Sequence, residues 1–360
     1  MNRAHHLLLV TAIFGLSLPQ DTLPFDRMAE HIVHALEPVP DERIVLRLDP
    51  STLPALEPVV HAALTRSGAR VETWKGAAVD DFEQRLAATD VYVWLPGASG
   101  ITSSEQSAAL RRWVDAGGTR REIHFHWSEG TLNADTSPAK HSPLFDRMYA
   151  RALEIDYAAL KSRQDAAIAM LRSGDVSVTT PAGTDLKFRT GDRPFNRQDG
   201  DASRRRVARA RMRIDRHIEL PAGIIRVAPL EESVNGTMVI PTVNRGGQRM
   251  DGVRLQIVAG KIRTATARAG QPALDELLKT SPALQNFREF GLGFNPALPR
   301  EGGSEVMAYY GYGDGVVRLS LGDNEELGGS VRGGAVLWNF FPDATVSING
   351  RVLVARGRSR

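Results

Sequence analysis

The chain changes its hydrophobic period once, near Asp175, and that change constrains the fold more than any single motif does. Before it, helical and strand spacings alternate. "FDRMAEHIVHAL" puts Phe25, Met28, Ile32 and Leu36 on one helical face, and "RIVLRLD" (43–49) alternates as a strand. "LPALEPVVHAALTRSGA" reads as a helix stopped at Gly68, "RVETWK" (70–75) as a strand, and "FEQRLAATD" as a helix. "VYVWLPG" (91–97) is a buried strand ending in a Pro-Gly turn. "SSEQSAALRRWVDAGG" offers Ser103 or Ser104 as an N-cap and closes at Gly117–Gly118, before the strand "REIHFHW" (121–127). Such alternation predicts a parallel sheet with helices on both faces.

A linking helix, "DYAALKSRQDAAIAMLRSGD", leads to the change. Beyond it come short strands with Gly, Pro and Asn turns, among them "VSVTTPAGTDLKFRTGD", "RRVARARMRIDRHIELP", "IIRVAPL", "GTMVIPTV", "VRLQIVAGKIRTATA", "GVVRLSLGD", "AVLWNFF" and "ATVSINGRVLVARG". In the last of these, "INGR" (348–351) is a hairpin turn, because Asn-Gly tolerates positive φ. The prediction is an α/β N-terminal domain, parallel sheet with flanking helices, at 18–174, and a mostly β C-terminal domain at 175–360.

Composition narrows the chemistry. There is no cysteine among the 360 residues, which excludes disulfides, thiolate zinc, iron–sulfur clusters and cysteine nucleophiles. The net charge is +3, and no aromatic residues interleave the basic runs as a nucleic-acid reader requires, so no nucleic acid is expected as a partner. At the start, Arg3 precedes twelve uncharged residues, Leu7 to Leu18, and a Pro-Gln-Asp exit. Twelve are too few to span a bilayer, which takes about 20, but they suit a signal-peptide core with Gly15 and Ser17 at a cut after residue 17. The expectation is a protein with no membrane span, exported (periplasmic or extracellular) if this segment is a signal peptide and cytoplasmic if it is instead a buried first helix.

Candidate site residues are sparse. His124 and His126 share one strand face and would hold a zinc or iron ion if a third ligand converged. In "RRRVARARMRIDRH", strand spacing puts Arg205, Arg209, Arg211 and Arg213 on one face, to be laced with carboxylates or to grip an anion. There is no Gly-x-Ser-x-Gly, phosphate-binding loop or His-Glu-x-x-His.

Four segments in order, "VSVTTPAGTDLKF" (176–188), "LPAGIIRVAPLEESVNGT" (220–237), "FREFGLGFNP" (287–296) and "LSLGDNEELGG" (319–329) with its following "VLWNFFPD", resemble the aminopeptidase T family of metallopeptidases and its dihydroxypyridine dioxygenase relatives. The resemblance runs from about residue 25 to the end. It implies an interdomain cleft, one or two metal ions held there, a peptide or amino-acid-like substrate, and a homodimer or larger assembly. Carried over position by position, it also implies a changed ligand set. A metal-binding Glu becomes Ile224, Glu289 is kept, a His becomes Arg318, a Tyr becomes Glu325, and a His-x-Asp pair becomes Leu337 and Asn339. No histidine follows His217.

The reading that fits this set is a divergent, metal-free member, a pseudo-peptidase that binds a peptide or amino-acid-like ligand. Glu231, Glu232, Arg318, Glu325 and Asn339 are its candidate binding residues, and Glu289 is its candidate catalytic group. An Arg318–Glu289 pair would replace the cation, and no cofactor is expected. One alternative is a metal-dependent aminopeptidase with a site rebuilt from Glu231, Glu289, His124 and His126, taking Zn, Co or Mn. A second is a metal-independent enzyme using Glu289 or Glu232 beside an arginine as acid–base. Ring-cleaving dioxygenase chemistry fits least, because its His and Asp ligands are replaced.

Overall fold

The structure is a computed structural model that describes residues 23–127, 131–133, 137, 139–298, 306–307 and 309–360. The expected leader at 1–17 lies outside the described residues. Among those described, no helix is long and apolar enough to cross a membrane.

The alternating half folds as its periodicity predicts. The helix Phe25–Leu36 buries Met28, Ala29, Ile32, Ala35 and Leu36 and ends where Glu37 turns left-handed at φ 44°. Helices Leu56–Arg66 and Ser104–Asp115 follow, the latter capped by the Ser103 side chain accepting from Gln106 N. Between them run the strands Arg43–Leu48, Arg70–Lys75, Val91–Trp94 and Arg121–Phe125, all parallel. Helices Pro143–Leu153 and Tyr157–Arg172 then lead to the β-rich half.

One boundary is less clean than the period change suggests. The fifth strand of the parallel sheet is His217–Leu220, which pairs with Arg121–Phe125 well past Asp175. A second correction concerns the arginine-rich run just before it. Residues 204–216 are not a strand: Arg204–Val207 is a short helix capped by Ser203, and Arg213–Arg216 is a 3-10 turn. Ser203 is a strong N-cap, and the basic side chains are spent locally, Arg206 on Asp199, Arg213 on Asp115 and Arg204 on Glu42. Of the four arginines expected on one strand face, Arg205 pairs with Glu37 and Arg213 with Asp115, in a different conformation, and no carboxylate pair joins Arg209 or Arg211 among the described residues.

The rest is antiparallel. A five-stranded sheet runs Val336–Phe341, Val317–Gly322, Phe287–Gly293, Ile224–Val227, Asn196–Arg197. An eight-stranded sheet contains the long hairpin Asn235–Arg245 with Gln248–Val258, and the predicted hairpin Thr345–Ile348 with Arg351–Ala355. The turn of the latter has Asn349 and Gly350 at φ 47° and 82°, as its Asn-Gly predicts. The apolar faces of both antiparallel sheets join helices Phe25–Leu36, Leu56–Arg66, Pro143–Leu153 and Tyr157–Arg172 in one core, while Ser104–Asp115 packs with Trp74, Tyr92 and Trp94 in a second cluster.

Candidate functional site

Pairing register decides which side chains share a face. Along the five-stranded sheet, Arg226 opposes Gly291, Gly291 opposes Arg318, Glu289 opposes Ser320, and Arg318 opposes Phe340. Opposed residues point to the same side. One face therefore carries Ile224, Arg226, Glu289, Arg318, Ser320, Trp338 and Phe340. Gly291 sits among them, and the Arg318 stem lies over it: a Cβ there would stand 3.3 Å from Arg318 Cβ and 3.1 Å from Ile224 Cδ1. A bulge between Phe287 and Glu289 turns Phe287 to the core side while Glu289 stays on the site side.

The charges on this face are buried and mutually paired. Arg318 Nε lies 3.0 Å from Glu289 Oε1, with side chains 3% and 0% exposed. Ser320 Oγ donates to the same Glu289 oxygen at 3.0 Å, and Arg288 Nε stands 3.6 Å from Glu289 Oε2. Arg288 also donates to Glu326, while Arg226 Nε and Nη2 donate to Asn196 Oδ1 at 3.1 and 3.0 Å. Arg318 Nη1 reaches the Tyr310 carbonyl at 3.3 Å. Burial alone would raise the Glu289 carboxyl, but Arg318, Arg288 and Arg226 outweigh it and hold its pKa at about 2.

The parallel sheet brings its own charged row to the same place. Trp74, Arg47, Trp94, His124 and Glu219 lie at one register across its five strands. His124 and His126 stack at 3.7 Å between ring centroids, and His126 packs on Tyr309 and Tyr310 at 4.8 and 5.8 Å. Tyr310 in turn meets Trp338 at 5.3 Å, so the two imidazoles and the arginine face are joined through the tyrosine pair. His217 Nδ1 sits 3.1 Å from Glu122 Oε2, which also accepts from Trp94 Nε1 at 2.8 Å.

Electrostatics follows this geometry. Burial lowers the His217 pKa, but its contacts with Glu122 and Glu219 dominate and lift it to about 10. Burial likewise works against Glu219, yet the His217 hydrogen bond and the charges of Arg226, His126 and His217 hold that carboxyl at about 2. His124 goes the other way: burial first, then its two histidine neighbours, push it well below the usual value, so it is neutral at pH 7.

Several expected site residues are placed elsewhere. Asn339 opposes Leu319, not Arg318, so it and Leu337 face away from Glu289; the Asn339 amide donates to the Leu319 carbonyl at 3.2 Å. The residues of that strand on the Glu289 side are Val336, Trp338 and Phe340, none of them a metal donor. Glu231 is tied to Arg193 and to Ser330 N and Oγ, holding one loop against another. Glu232 lines a surface groove with Lys187 and Arg189, and Glu325 is exposed and paired with Arg332. Sequence reasoning missed Arg226, Arg288, Glu219, Glu122 and His217. The available signal was a charged residue inside an otherwise apolar strand, as in "IIRV" and "FREFGLG".

The donors do not fit the cation that the family resemblance implies. Among the described residues, no three side chains of His, Asp or Glu come together so as to hold a metal ion. The kept carboxylate is already engaged by arginine. A guanidinium a few ångströms from a cation repels it by about 4 kcal/mol at an effective dielectric near 20.

Parallel sheet, linking helices and antiparallel sheets together make an aminopeptidase-T-like architecture. Two solved structures share the fold over nearly their whole length. A 2,5-dihydroxypyridine dioxygenase from Pseudomonas putida KT2440 is 18% identical, with 95% of this chain and 98% of that chain covered and a TM-score of 0.63. Wild-type AmpT from Thermus thermophilus is 14% identical, with 93% and 98% covered and a TM-score of 0.64. At such identities the likeness is one of fold. No protein-family model and no curated protein matches the chain.

Proposed function

We propose that this chain is a metal-free binding protein on a peptidase scaffold, holding a peptide or amino-acid-like ligand where its sheets meet. The observation that carries the reading is the buried Arg318–Glu289 pair, a fixed cation and anion on the face where a metal-dependent relative needs convergent donors. Trp338, the most exposed aromatic of that face at 37%, and Tyr310 beside it supply an apolar wall for a side chain.

Acid–base catalysis by Glu289 is disfavoured, because a carboxyl held at about 2 is a weak base at neutral pH. A rebuilt metal site is disfavoured as well, since Glu231 is committed to Arg193 and Ser330 rather than to His124 and His126. Export and a homodimeric or larger assembly belong to the same reading; they rest on the leader pattern and on the family resemblance.

Calorimetric titration with dipeptides and free amino acids, with and without chelator, tests it. The expected result is saturable binding that the chelator leaves unchanged, without hydrolysis. Peptide cleavage abolished by chelator would contradict it.

A further inference from the structure

The parallel sheet holds a further buried arginine, one that no carboxylate neutralises among the described residues. Arg47 is 0% exposed at the carboxyl end of Arg43–Leu48. Its Nη2 reaches only neutral acceptors, Gln106 Oε1 at 3.1 Å and the Ala77 carbonyl at 3.4 Å. Its Nε and Nη1 are buried with no hydrogen-bond partner. Two other buried donors nearby share that condition. They are the Tyr92 hydroxyl, 0% exposed, and the Trp74 indole N–H, on a residue 2% exposed. Trp74 is the in-register neighbour of Arg47 on the adjoining strand, and its ring lies 6.0 Å from that of Tyr92.

Four buried polar atoms on one face of three adjoining strands therefore lack a hydrogen-bond partner among the described residues. Native interiors rarely leave such groups unmatched, and a buried guanidinium least of all. The place is also distinctive in topology. The strand order runs Arg70–Lys75, Arg43–Leu48, Val91–Trp94, so the chain reverses direction across the sheet at Arg43–Leu48. Open parallel sheets take ligands beyond the carboxyl ends of strands at such a point. Here the helix Ser104–Asp115 and the Ala77 backbone cover it through Gln106, whose Nε2 donates to the Ala77 carbonyl at 3.1 Å. A buried place covered in this way suits an ion rather than a larger ligand.

We propose that Arg47 Nε and Nη1, with the Tyr92 hydroxyl and the Trp74 indole N–H, bind a single halide-sized anion, chloride under ordinary conditions. Glu122 and Glu72, carboxylates on this face, are both engaged elsewhere: Glu122 by Trp94 and His217, and Glu72 by Arg85. The anion neutralises Arg47, which Gln106, a neutral amide, does not. The site lies apart from Arg318, which belongs to the antiparallel sheet; Trp94 and His124 separate Arg47 from Glu219 at the far end of the row.

Bromide identifies the ion. In crystals grown with bromide replacing chloride, anomalous scattering at the bromine edge should show one peak within hydrogen-bonding reach of Arg47. No peak, or density there without anomalous signal, overturns the proposal. In solution, the melting temperature should rise by about 4 °C from halide-free gluconate buffer to chloride at about 100 times its dissociation constant, at constant ionic strength. Arg47→Met should abolish that rise. Tyr92→Phe, which keeps the ring packing, should weaken it and lower bromide occupancy. A melting temperature indifferent to halide in the wild type would refute the site even if Arg47→Met fails to fold.

Discussion

Replacing Glu289 by glutamine removes the one anion shared by Arg318 and Arg288 while keeping its shape. The gross attractions lost are large. Charges 3.0 and 3.6 Å apart, as Glu289 is from Arg318 and Arg288, attract by about 5 kcal/mol each at an effective dielectric near 20. Desolvation of the carboxylate, relieved in the variant, cancels much of this, and removing one partner of a buried pair typically costs about 3–5 kcal/mol net. With an unfolding entropy of roughly 2.1 cal/mol/K per residue, the melting temperature of the whole chain should fall by roughly 4–7 °C.

The pH dependence gives an independent check. The Glu289 carboxyl goes from an ordinary 4.5 to about 2 in the fold. A depressed acid stabilises above its unfolded value and loses that contribution as pH falls from about 4.5 towards 2, here about 3 kcal/mol in all. Glu219 is held at about 2 as well and titrates in the same window, so Glu289→Gln should reduce the acid-side loss without abolishing it. Denaturant unfolding at pH 7 and pH 3 measures both quantities. A loss below about 1 kcal/mol at pH 7, or an acid limb identical to the wild type, would refute the pairing. The double variant Glu289→Gln/Arg318→Leu should recover part of the loss, since removing both charges costs less than stranding one.

Three further outcomes follow from the same geometry. His217, raised from 6.5 to about 10, contributes stability that is full below pH 6.5 and lost as pH rises through 10; histidine NMR should find its imidazolium intact at pH 8, and a ring neutral at pH 7 would contradict the Glu122 and Glu219 contacts. Trp338→Ala should leave the melting temperature nearly unchanged, because the side chain is 37% exposed, yet weaken ligand binding at least tenfold in titration calorimetry. Gly293→Ala should destabilise by about 3 kcal/mol in denaturant titration, because its Cβ would fall 2.1 Å from the Gly313 carbonyl oxygen, and a near-neutral effect would mean the strand packs less tightly at this point.

Much of the fold was legible because periodicity carries it. The helix at Phe25–Leu36, the parallel strands and the Asn349–Gly350 hairpin are each dictated by local spacing or turn chemistry. Where local patterns compete, reading failed. Residues 204–216 alternate like a strand, but the Ser203 cap and nearby carboxylates favour a helix and a turn. The joining of His217–Leu220 to the first sheet is a long-range pairing that no local spacing encodes. The site was half visible. Glu289 and Arg318 were recognised and do meet, whereas Asn339, a candidate binding residue, lies on the opposite face of the sheet. Period-two alternation says that neighbours point oppositely, but only cross-strand register says which neighbour joins Glu289. Arg226, Arg288 and Glu219 escaped notice because isolated charges in apolar strands reveal their partners only once the sheets are assembled.

Metal content tests the central claim, that arginine has taken the place of a cation, most directly. The purified protein, incubated with zinc, cobalt or manganese and dialysed, would be analysed by inductively coupled plasma mass spectrometry alongside Glu289→Gln. The account predicts only substoichiometric metal, the same in both proteins. A full equivalent retained by the wild type and lost from Glu289→Gln would contradict it.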